Sequence, residues 1–215
     1  MKFFLDTANV EQITKAASYG IIDGVTTNPS LIAKEGVDHA TRILEICQAI
    51  DGDVSAEVIA TEAEEMVVEG RKLAKIHENV VVKLPLTRDG IKATKILSSE
   101  DIKVNVTLCF TANQALIAAK AGAYYISPFV GRLDDISVDG LDLIRDIVDI
   151  YDNYGYPTQV LVASARGPLH VKESALCGAH VCTLPYGVLE KLFDHPLTES
   201  GLAAFLADYR KSQEG

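Results

Sequence analysis

The chain has 215 residues, of which 48% are hydrophobic and 23% are charged, so it can build a large core and is not intrinsically disordered. Its 20 basic and 30 acidic residues give a formal net charge of −10. This balance argues against a nucleic-acid-binding protein, because such proteins neutralise phosphates with an excess of Lys and Arg. An anionic substrate would need a locally positive pocket.

The N-terminal segment and the cysteines indicate the compartment. Asp6 interrupts the first apolar stretch too early for a signal peptide, and no apolar run reaches the length of a membrane span. The four cysteines, which form no CxxC pair, are Cys47, Cys109, Cys177 and Cys182. We expect reduced core thiols in a cytoplasmic protein without a membrane anchor, rather than disulfides or metal ligands.

Short apolar strands alternate with amphipathic helices along the chain. The predicted strands are Lys2–Asp6, Gly24–Thr27, Val54–Val58, Val80–Leu84, Lys103–Cys109, Tyr124–Phe129, Gln159–Ser164 and His180–Leu184. Helices are predicted between them, and the one with the clearest apolar stripe is Thr61–His77. The helix-start signals are Asn9 with Gln12, Asn28 with Pro29, Thr61 with Glu64, and Pro168.

Eight strand–helix units in a chain of this length predict a single α/β domain over residues 1–215, folded as a closed (β/α)8 TIM barrel. An open, doubly wound sheet would also explain the alternation. However, no GxGxxG follows the first strand and no GxxxxGK[ST] occurs in the chain, so the barrel is the better interpretation.

An extra C-terminal helix is predicted over residues 198–212, after the eighth unit. Leu202, Phe205, Leu206 and Tyr209 recur at helical spacing and form one apolar stripe. Because the barrel is complete before this helix, the stripe must pack either on its own barrel or on a neighbouring subunit. The pattern alone leaves both possibilities open.

Lys83 stands near the end of the apolar run Val80–Pro85, which is typical of a buried parallel strand. Burying an ammonium is costly, and loss of its proton removes that cost and leaves a nucleophilic amine. Such an amine attacks a carbonyl to form a Schiff base. The alternative is a strand-end lysine whose ammonium reaches solvent.

Other polar side chains end the predicted strands, and in a (β/α)8 barrel these ends form the active-site face. The full set is Asp6, Thr26, Asn28, Glu57, Lys83, Asn105, Thr107, Ser127 and Ser164. One amine, two carboxylates and several neutral groups suit carbonyl chemistry with proton transfer, although a structural network that caps the barrel is an alternative. No strand-end histidine accompanies them, so we expect neither a metal site nor a Ser–His–Asp triad.

Arg132 follows the sixth predicted strand and Arg166 follows the seventh. A guanidinium binds phosphate bidentately, and late loops of a barrel are a recurrent phosphate site. Surface ion pairs with Asp134, Asp135 or Glu173 are the alternative. The two arginines at successive strand ends favour phosphate.

Seven segments, taken in order, resemble the transaldolase family: LDTANV, GVTTNPSLIAKEG, VSAEV, VVKLP, NVTLCF, SPFVGRLDD and VASARGPLHV. The resemblance covers essentially the whole chain and is closest to the short transaldolase and fructose-6-phosphate aldolase-like subfamily. It implies a (β/α)8 barrel and cofactor-free Schiff-base chemistry on sugar phosphates in the pentose phosphate pathway. Short members of this family form pentameric rings, often stacked as decamers, in which the C-terminal helix reaches a neighbour. The resemblance therefore implies a homo-oligomer here, with the helix over residues 198–212 docked on a neighbouring subunit.

The resemblance also implies a role for each matching residue. Lys83 is the implied Schiff-base lysine, Asp6 the base at the C4 hydroxyl of the bound sugar, and Glu57 the carboxylate that positions a catalytic water with Thr107. The implied substrate-binding residues are Thr26, Asn28, Asn105 and Ser127 at the sugar, Phe129 near the reacting carbons, and Arg132, Ser164 and Arg166 at the phosphate.

Two positions separate the activities within the family. The aldolase members carry glutamine in place of Glu57 and tyrosine in place of Phe129, so both residues here are of transaldolase type. Gly167 departs from the usual asparagine of the seventh motif and offers no side-chain donor. We expect transfer of a dihydroxyacetone unit from a ketose phosphate to an aldose phosphate. The alternatives are fructose-6-phosphate aldolase and a non-catalytic sugar-phosphate-binding barrel.

Overall fold

The computed structural model describes residues 1–213 and contains a closed barrel of eight parallel strands that run around the barrel in chain order. The strands are β1 (Lys2–Asp6), β2 (Gly24–Thr26), β3 (Asp53–Glu57), β4 (Val80–Pro85), β5 (Val104–Cys109), β6 (Tyr125–Pro128), β7 (Gln159–Val162) and β8 (Val181–Leu184). The predicted (β/α)8 barrel is therefore confirmed, including the pairing of β8 with β1 that closes it.

Every strand is followed by at least one helix. The helices are α1 (Val10–Ala17), α2 (Pro29–Lys34), α3 (His39–Ala49), α4 (Ala63–Ala74), α5 (Arg88–Ser98), α6 (Ala112–Ala121), α7 (Val130–Asp134), α8 (Gly140–Tyr154), α9 (Pro168–Leu176), α10 (Tyr186–Lys191) and α11 (Pro196–Gln213). No helix within residues 1–213 has both the length and the apolar character that crossing a lipid bilayer requires.

The predicted helix starts are mostly confirmed. Asn9 and Asn28 cap α1 and α2, each accepting a hydrogen bond from the amide three residues on, and Pro168 is the first residue of α9. The start predicted from Thr61 is wrong: α4 begins at Ala63 and has no side-chain cap. The carboxylate of Glu69 instead accepts the amides of two residues before the helix and holds that segment as a loop.

The barrel interior is filled in layers along its axis. Five side chains form an apolar cluster inside the barrel: Phe4, Val81, Tyr125, Leu161 and Val181. The Tyr125 hydroxyl donates a 2.7 Å hydrogen bond to Asp53 Oδ2 at the start of β3, which places this cluster toward the amino ends of the strands. Because side chains alternate along a strand, Lys83 points into the same interior two residues beyond Val81.

The apolar stripe predicted for the C-terminal helix is uncovered within this chain. No residue of α11 is buried, and Leu202, Phe205, Leu206 and Tyr209 are each about half or more exposed, with Phe205 at 75%. The helix also extends slightly beyond both predicted ends. Docking of the stripe on a second copy stays a prediction.

We expect the protein to sediment as a homo-oligomer, because covering each large apolar side chain of the stripe is worth roughly 1.5–3 kcal/mol. Replacing Phe205 and Leu206 by serine should shift the mass toward that of one chain, 23.2 kDa. Lys211→Ser, on the opposite side of α11, should leave the mass unchanged. Sedimentation equilibrium decides, and a 23.2 kDa particle for the unaltered protein would contradict the prediction.

Candidate active site

A cavity opens at the carboxyl ends of the strands and has two adjoining lobes, of about 150 and 430 Å³. Five residues line both lobes: Asn28, Lys83, Thr107, Phe129 and Arg132. The smaller lobe is completed by Asp6, Thr26, Ser127, Leu161, Ala163, Ser164 and Thr183, and the larger by Pro29, Ser30, Leu31, Lys34, Glu57 and Leu108. Ten of the twelve predicted site residues, Lys83 among them, therefore line one cavity.

Lys83 is buried at the junction of the two lobes, with its side chain 9% exposed. Its Nζ lies 3.1 Å from Glu57 Oε2 and donates a 2.9 Å hydrogen bond to the carbonyl oxygen of Thr27. The β3–β4 register sets Glu57 directly opposite Lys83, which produces this pair. The lysine thus does not escape to solvent, and it has a carboxylate partner that can take its proton.

Asp6 lies in the smaller lobe at the end of a chain of hydroxyls. Thr26 donates a 2.8 Å hydrogen bond to Asp6 Oδ1, and Thr183 Oγ1 lies 2.6 Å from Thr26 Oγ1. A hydroxyl has one proton, so Thr183 is the donor in the second bond. Burial raises the pKa of Asp6 above its ordinary 3.8, opposed by the Thr26 hydrogen bond and by the charge of Lys83. This environment suits a proton acceptor.

Thr107 occupies an irregular stretch of β5. The register of β5 against β6 shifts between Val106 and Cys109, and Leu108 within this stretch has a positive φ of 63°. The Thr107 hydroxyl is buried and makes no hydrogen bond to any residue of the described part of the chain. A hydroxyl left free beside Lys83 is suited to holding a water or a substrate oxygen.

Asn105 lies below the cavity and does not line it. Its Nδ2 donates to Ser55 Oγ at 3.1 Å, and its Oδ1 accepts a 2.8 Å hydrogen bond from Ser127. All three side chains are buried in the barrel interior. The amide therefore orients Ser127, which reaches the cavity, so its predicted contact with the sugar is indirect in this geometry.

Asn28 caps a helix and also lines the cavity. Its Oδ1 caps α2 by accepting the amide of Leu31 at 2.9 Å, while the residue lines both lobes. With the oxygen engaged in this way, the amide NH₂ group is the part available as a donor to a bound ligand.

Phe129 and Arg132 form the wall near β6. The Arg132 guanidinium lies 4.8 Å from the centroid of the Phe129 ring, and Phe110 contacts the same ring at 5.7 Å between centroids. Stacking on an aromatic face orients the guanidinium without engaging its hydrogen-bond donors. Arg132 therefore presents a cation to both lobes of the cavity.

Arg166 is placed differently from Arg132. Its guanidinium makes two 2.5 Å hydrogen bonds to the carboxylate of Asp135, as the surface ion-pair alternative predicted, and it does not line the cavity. It still lies close to the site, because a Cβ on Gly131 would meet Arg166 Nε at 2.7 Å and overlap the carbonyl oxygen of Ser164. Only a glycine at position 131 permits this close contact between α7 and the loop after β7.

Two groups of the site could not be recognised from sequence. Thr183 precedes the apolar residue and the proline that follow it at the end of β8, a pattern that does not indicate a site residue, yet its side chain lines the cavity. Ser55 lies in the middle of β3 and becomes visible as a site component only through its bond to Asn105.

Among residues 1–213 no group of three His, Cys, Asp or Glu side chains is arranged to hold a metal ion.

The comparisons with known proteins agree with this geometry. A family model described as Transaldolase/Fructose-6-phosphate aldolase matches residues 3–214. A probable transaldolase of Desulfatibacillum aliphaticivorans is 60% identical over 214 residues, covering 100% of both chains. Probable transaldolases of Methanococcus maripaludis strain C5 and Dinoroseobacter shibae are 61% identical over 209 residues (97% of both chains) and 60% identical over 212 residues (99% of this chain, 98% of the relative). The chain therefore belongs to the transaldolase/fructose-6-phosphate aldolase family.

Proposed function

We propose that the protein is a transaldolase that moves a dihydroxyacetone unit from a ketose phosphate, such as fructose 6-phosphate or sedoheptulose 7-phosphate, to an aldose phosphate through a Schiff base on Lys83. The observation that carries the proposal is the buried Lys83–Glu57 pair at the junction of the two lobes, with Asp6 in the smaller lobe. The family match and the names of the relatives support the same reaction class.

Imine formation begins with proton transfer from Lys83 to Glu57, which lies 3.1 Å from it. The freed amine attacks the C2 carbonyl of the ketose, and the resulting carbinolamine loses water. Glu57 returns the proton to the departing hydroxyl, and the unpaired hydroxyl of Thr107 holds the water that leaves. Both groups line the larger lobe, which gives the water a path out.

Carbon–carbon cleavage takes place in the smaller lobe. Asp6 removes the C4 hydroxyl proton, the C3–C4 bond breaks, and the electron pair moves into the iminium to give an enamine on Lys83. Glyceraldehyde 3-phosphate departs from a fructose 6-phosphate donor. The enamine then attacks an incoming aldose such as erythrose 4-phosphate, and reversal of the same proton transfers releases the new ketose.

The phosphate of the substrate is assigned to the end of the cavity near β6 and β7. Arg132 and Ser164 line this end, and Arg166 lies behind them with its guanidinium on Asp135. Asp135 occupies the Nη1 and Nη2 donors of Arg166, so a phosphate that binds this edge of the guanidinium has to displace the carboxylate. Arg132 is the cation that a phosphate meets first.

Sodium borohydride added with fructose 6-phosphate should fix a covalent adduct on Lys83, because hydride reduces an imine to a stable amine. Lys83→Ala should abolish both the adduct and the transfer activity. Lys92→Ala removes an exposed lysine that pairs with Asp89 and should keep both. Peptide mass spectrometry locates the adduct, and its presence on another lysine would refute the assignment.

The rate of carbon–carbon cleavage should fall as the pH drops through the pKa of Asp6, since only the carboxylate accepts the C4 proton. Burial places that pKa above the ordinary 3.8, and the Thr26 hydrogen bond holds it down. Thr26→Val should therefore move the acid limb of the kcat profile to higher pH. Asp6→Asn should lower cleavage about 10²- to 10⁴-fold.

Thr183→Val is the matched control for the pH profile, because it leaves the Thr26–Asp6 bond in place and should shift the acid limb less. Initial rates of transfer between pH 4 and 9 provide the comparison. An acid limb that stays in place or moves to lower pH in Thr26→Val would contradict the role of Asp6 as the base.

Phe129→Tyr should raise the ratio of fructose 6-phosphate cleavage to transfer. Phe129 lines both lobes beside Lys83, so an added hydroxyl is placed where it can deliver a proton to the enamine or orient a water that does so. The three-carbon unit then leaves as free dihydroxyacetone. The adduct on Lys83 should still form.

The same change at Phe110 is the control for Phe129→Tyr, since Phe110 contacts the Phe129 ring but does not line either lobe. Phe110→Tyr should alter both activities in parallel. Release of dihydroxyacetone and transfer to erythrose 4-phosphate are measured on the same samples. An unchanged ratio in Phe129→Tyr would mean that Phe129 only packs the wall of the site.

A further inference from the structure

The loop after β7 carries Ser164 and Arg166 and is held in an unusual conformation. Ser164 has a φ of 60°, in the left-handed region that a non-glycine residue occupies only when its surroundings hold it there. Its carbonyl oxygen accepts the amide of Gly131 in α7 at 3.2 Å. Because Ser164 lines the cavity, whatever fixes this loop also fixes the wall of the proposed phosphate subsite.

His170, in the first turn of α9, is bonded to this loop and to α7 at the same time. Its Nδ1 accepts the backbone amide of Arg166 at 3.0 Å, and its Nε2 lies 2.8 Å from Asp134 Oδ2. The other oxygen of Asp134 accepts the amide of Gly140 at the start of α8 at 3.0 Å. The amide of Gly140 thus fixes the Asp134 carboxylate, which in turn orients the imidazole of His170.

These contacts define the tautomer of His170. A ring nitrogen that accepts an amide proton carries no proton of its own, so the proton of the neutral imidazole is on Nε2 and points at Asp134. Both nitrogens are occupied, the side chain is only 19% exposed, and the residue does not line the cavity. His170 is therefore not placed to exchange protons with a substrate.

We propose that His170, oriented by Asp134, is a positioning residue for phosphate binding: it holds the backbone at Arg166, and so keeps residues 164–166 in the conformation that faces the phosphate. This inference rests on the proposed function, since it gives a role to a residue behind the proposed phosphate subsite. Two adjacent carboxylates at the carboxyl end of α7 have separate roles. Asp134 holds the loop backbone through His170, and Asp135 holds the Arg166 side chain.

Substrate binding depends on holding the loop backbone separately from the Arg166 side chain. The guanidinium of Arg166 can exchange Asp135 for a phosphate only if the backbone that carries it stays in place. The His170–amide bond supplies that fixed point without using any group that the phosphate would contact. Loss of the bond should thus weaken phosphate recognition and leave the chemistry at Lys83 intact.

The test compares His170→Leu, His170→Asn and Arg132→Leu in the full-length protein. KM and kcat are measured for fructose 6-phosphate and for unphosphorylated fructose, together with the inhibition constant of inorganic phosphate. Thermal melting and borohydride trapping on Lys83 report whether each variant is folded and reactive. Asparagine places an oxygen where histidine has Nδ1, so it can still accept the Arg166 amide, whereas leucine cannot.

His170→Leu should raise the KM for fructose 6-phosphate and the inhibition constant of phosphate about tenfold, with kcat and the KM for fructose changed less than about twofold, as expected for one lost hydrogen bond. His170→Asn should restore phosphate recognition to within about threefold of the wild type. Arg132→Leu, the reference for direct phosphate contact, should show the larger loss.

Four results would overturn the inference. Equal losses on both sugars, or a His170→Asn variant as defective as His170→Leu, would mean that His170 only stabilises the fold. A clear effect of Arg132→Leu with none of His170→Leu would refute the role of His170 and leave the phosphate subsite standing. If inorganic phosphate does not inhibit the wild type, and Arg132→Leu changes neither this inhibition nor the KM for fructose 6-phosphate, the phosphate subsite is refuted, and the role of His170 with it.

Discussion

The site depends on one constraint, which is that a lysine and a glutamate share the inside of a closed barrel. The β3–β4 register places Glu57 opposite Lys83, and the carbonyl of Thr27 takes a further bond from the ammonium. Removing one partner of such a buried pair costs about 3–5 kcal/mol, because the other charge is left uncompensated. The lysine is therefore held in one position and close to a proton acceptor, as a nucleophile requires.

The two carboxylates of the cavity have different surroundings and can therefore do different work. Glu57 contacts Lys83 directly, whereas Asp6 is held by a relay of two threonine hydroxyls. Burial raises the pKa of Asp6. In the proposed mechanism this difference separates two roles: Glu57 exchanges protons with the amine and the departing water, and Asp6 takes the proton of the sugar hydroxyl.

The cations of the site are arranged to admit an anion into a protein with a net charge of −10. Arg132 lies on an aromatic ring with its donors available, while Arg166 is already bound to Asp135. In the proposed function Arg132 is the cation that attracts the substrate phosphate, and a phosphate that binds the Nη1–Nη2 edge of Arg166 displaces Asp135. The glycine at position 131 lets α7, which carries Arg132, pack closely against the loop that carries Ser164 and Arg166.

The barrel and most of its site residues could be predicted from sequence, because the alternation of side chains along a strand is a local pattern and all strands of a (β/α)8 barrel end at the same face. The alternation that points Val81 inward also points Lys83 inward, and parallel strands bring their carboxyl ends to one face. Side-chain contacts between distant elements could not be predicted. Ser55 with Asn105 and Thr183 with Thr26 depend on strand register, and His170 with Asp134 depends on how α9 packs beside α7. The false helix start at Thr61 has a local cause, since Glu69 in α4 accepts the amides of Ile59 and Ala60 and holds the segment before the helix as a loop.

A crystal structure of the protein after borohydride reduction in the presence of fructose 6-phosphate tests the Schiff base on Lys83 most directly. The proposed mechanism predicts continuous density from Lys83 Nζ to C2 of the sugar, with any C4 oxygen next to Asp6 and the phosphate of an uncleaved sugar at Arg132. An unmodified Lys83 with the sugar bound elsewhere, or a sugar in this cavity whose phosphate points away from Arg132, would contradict it.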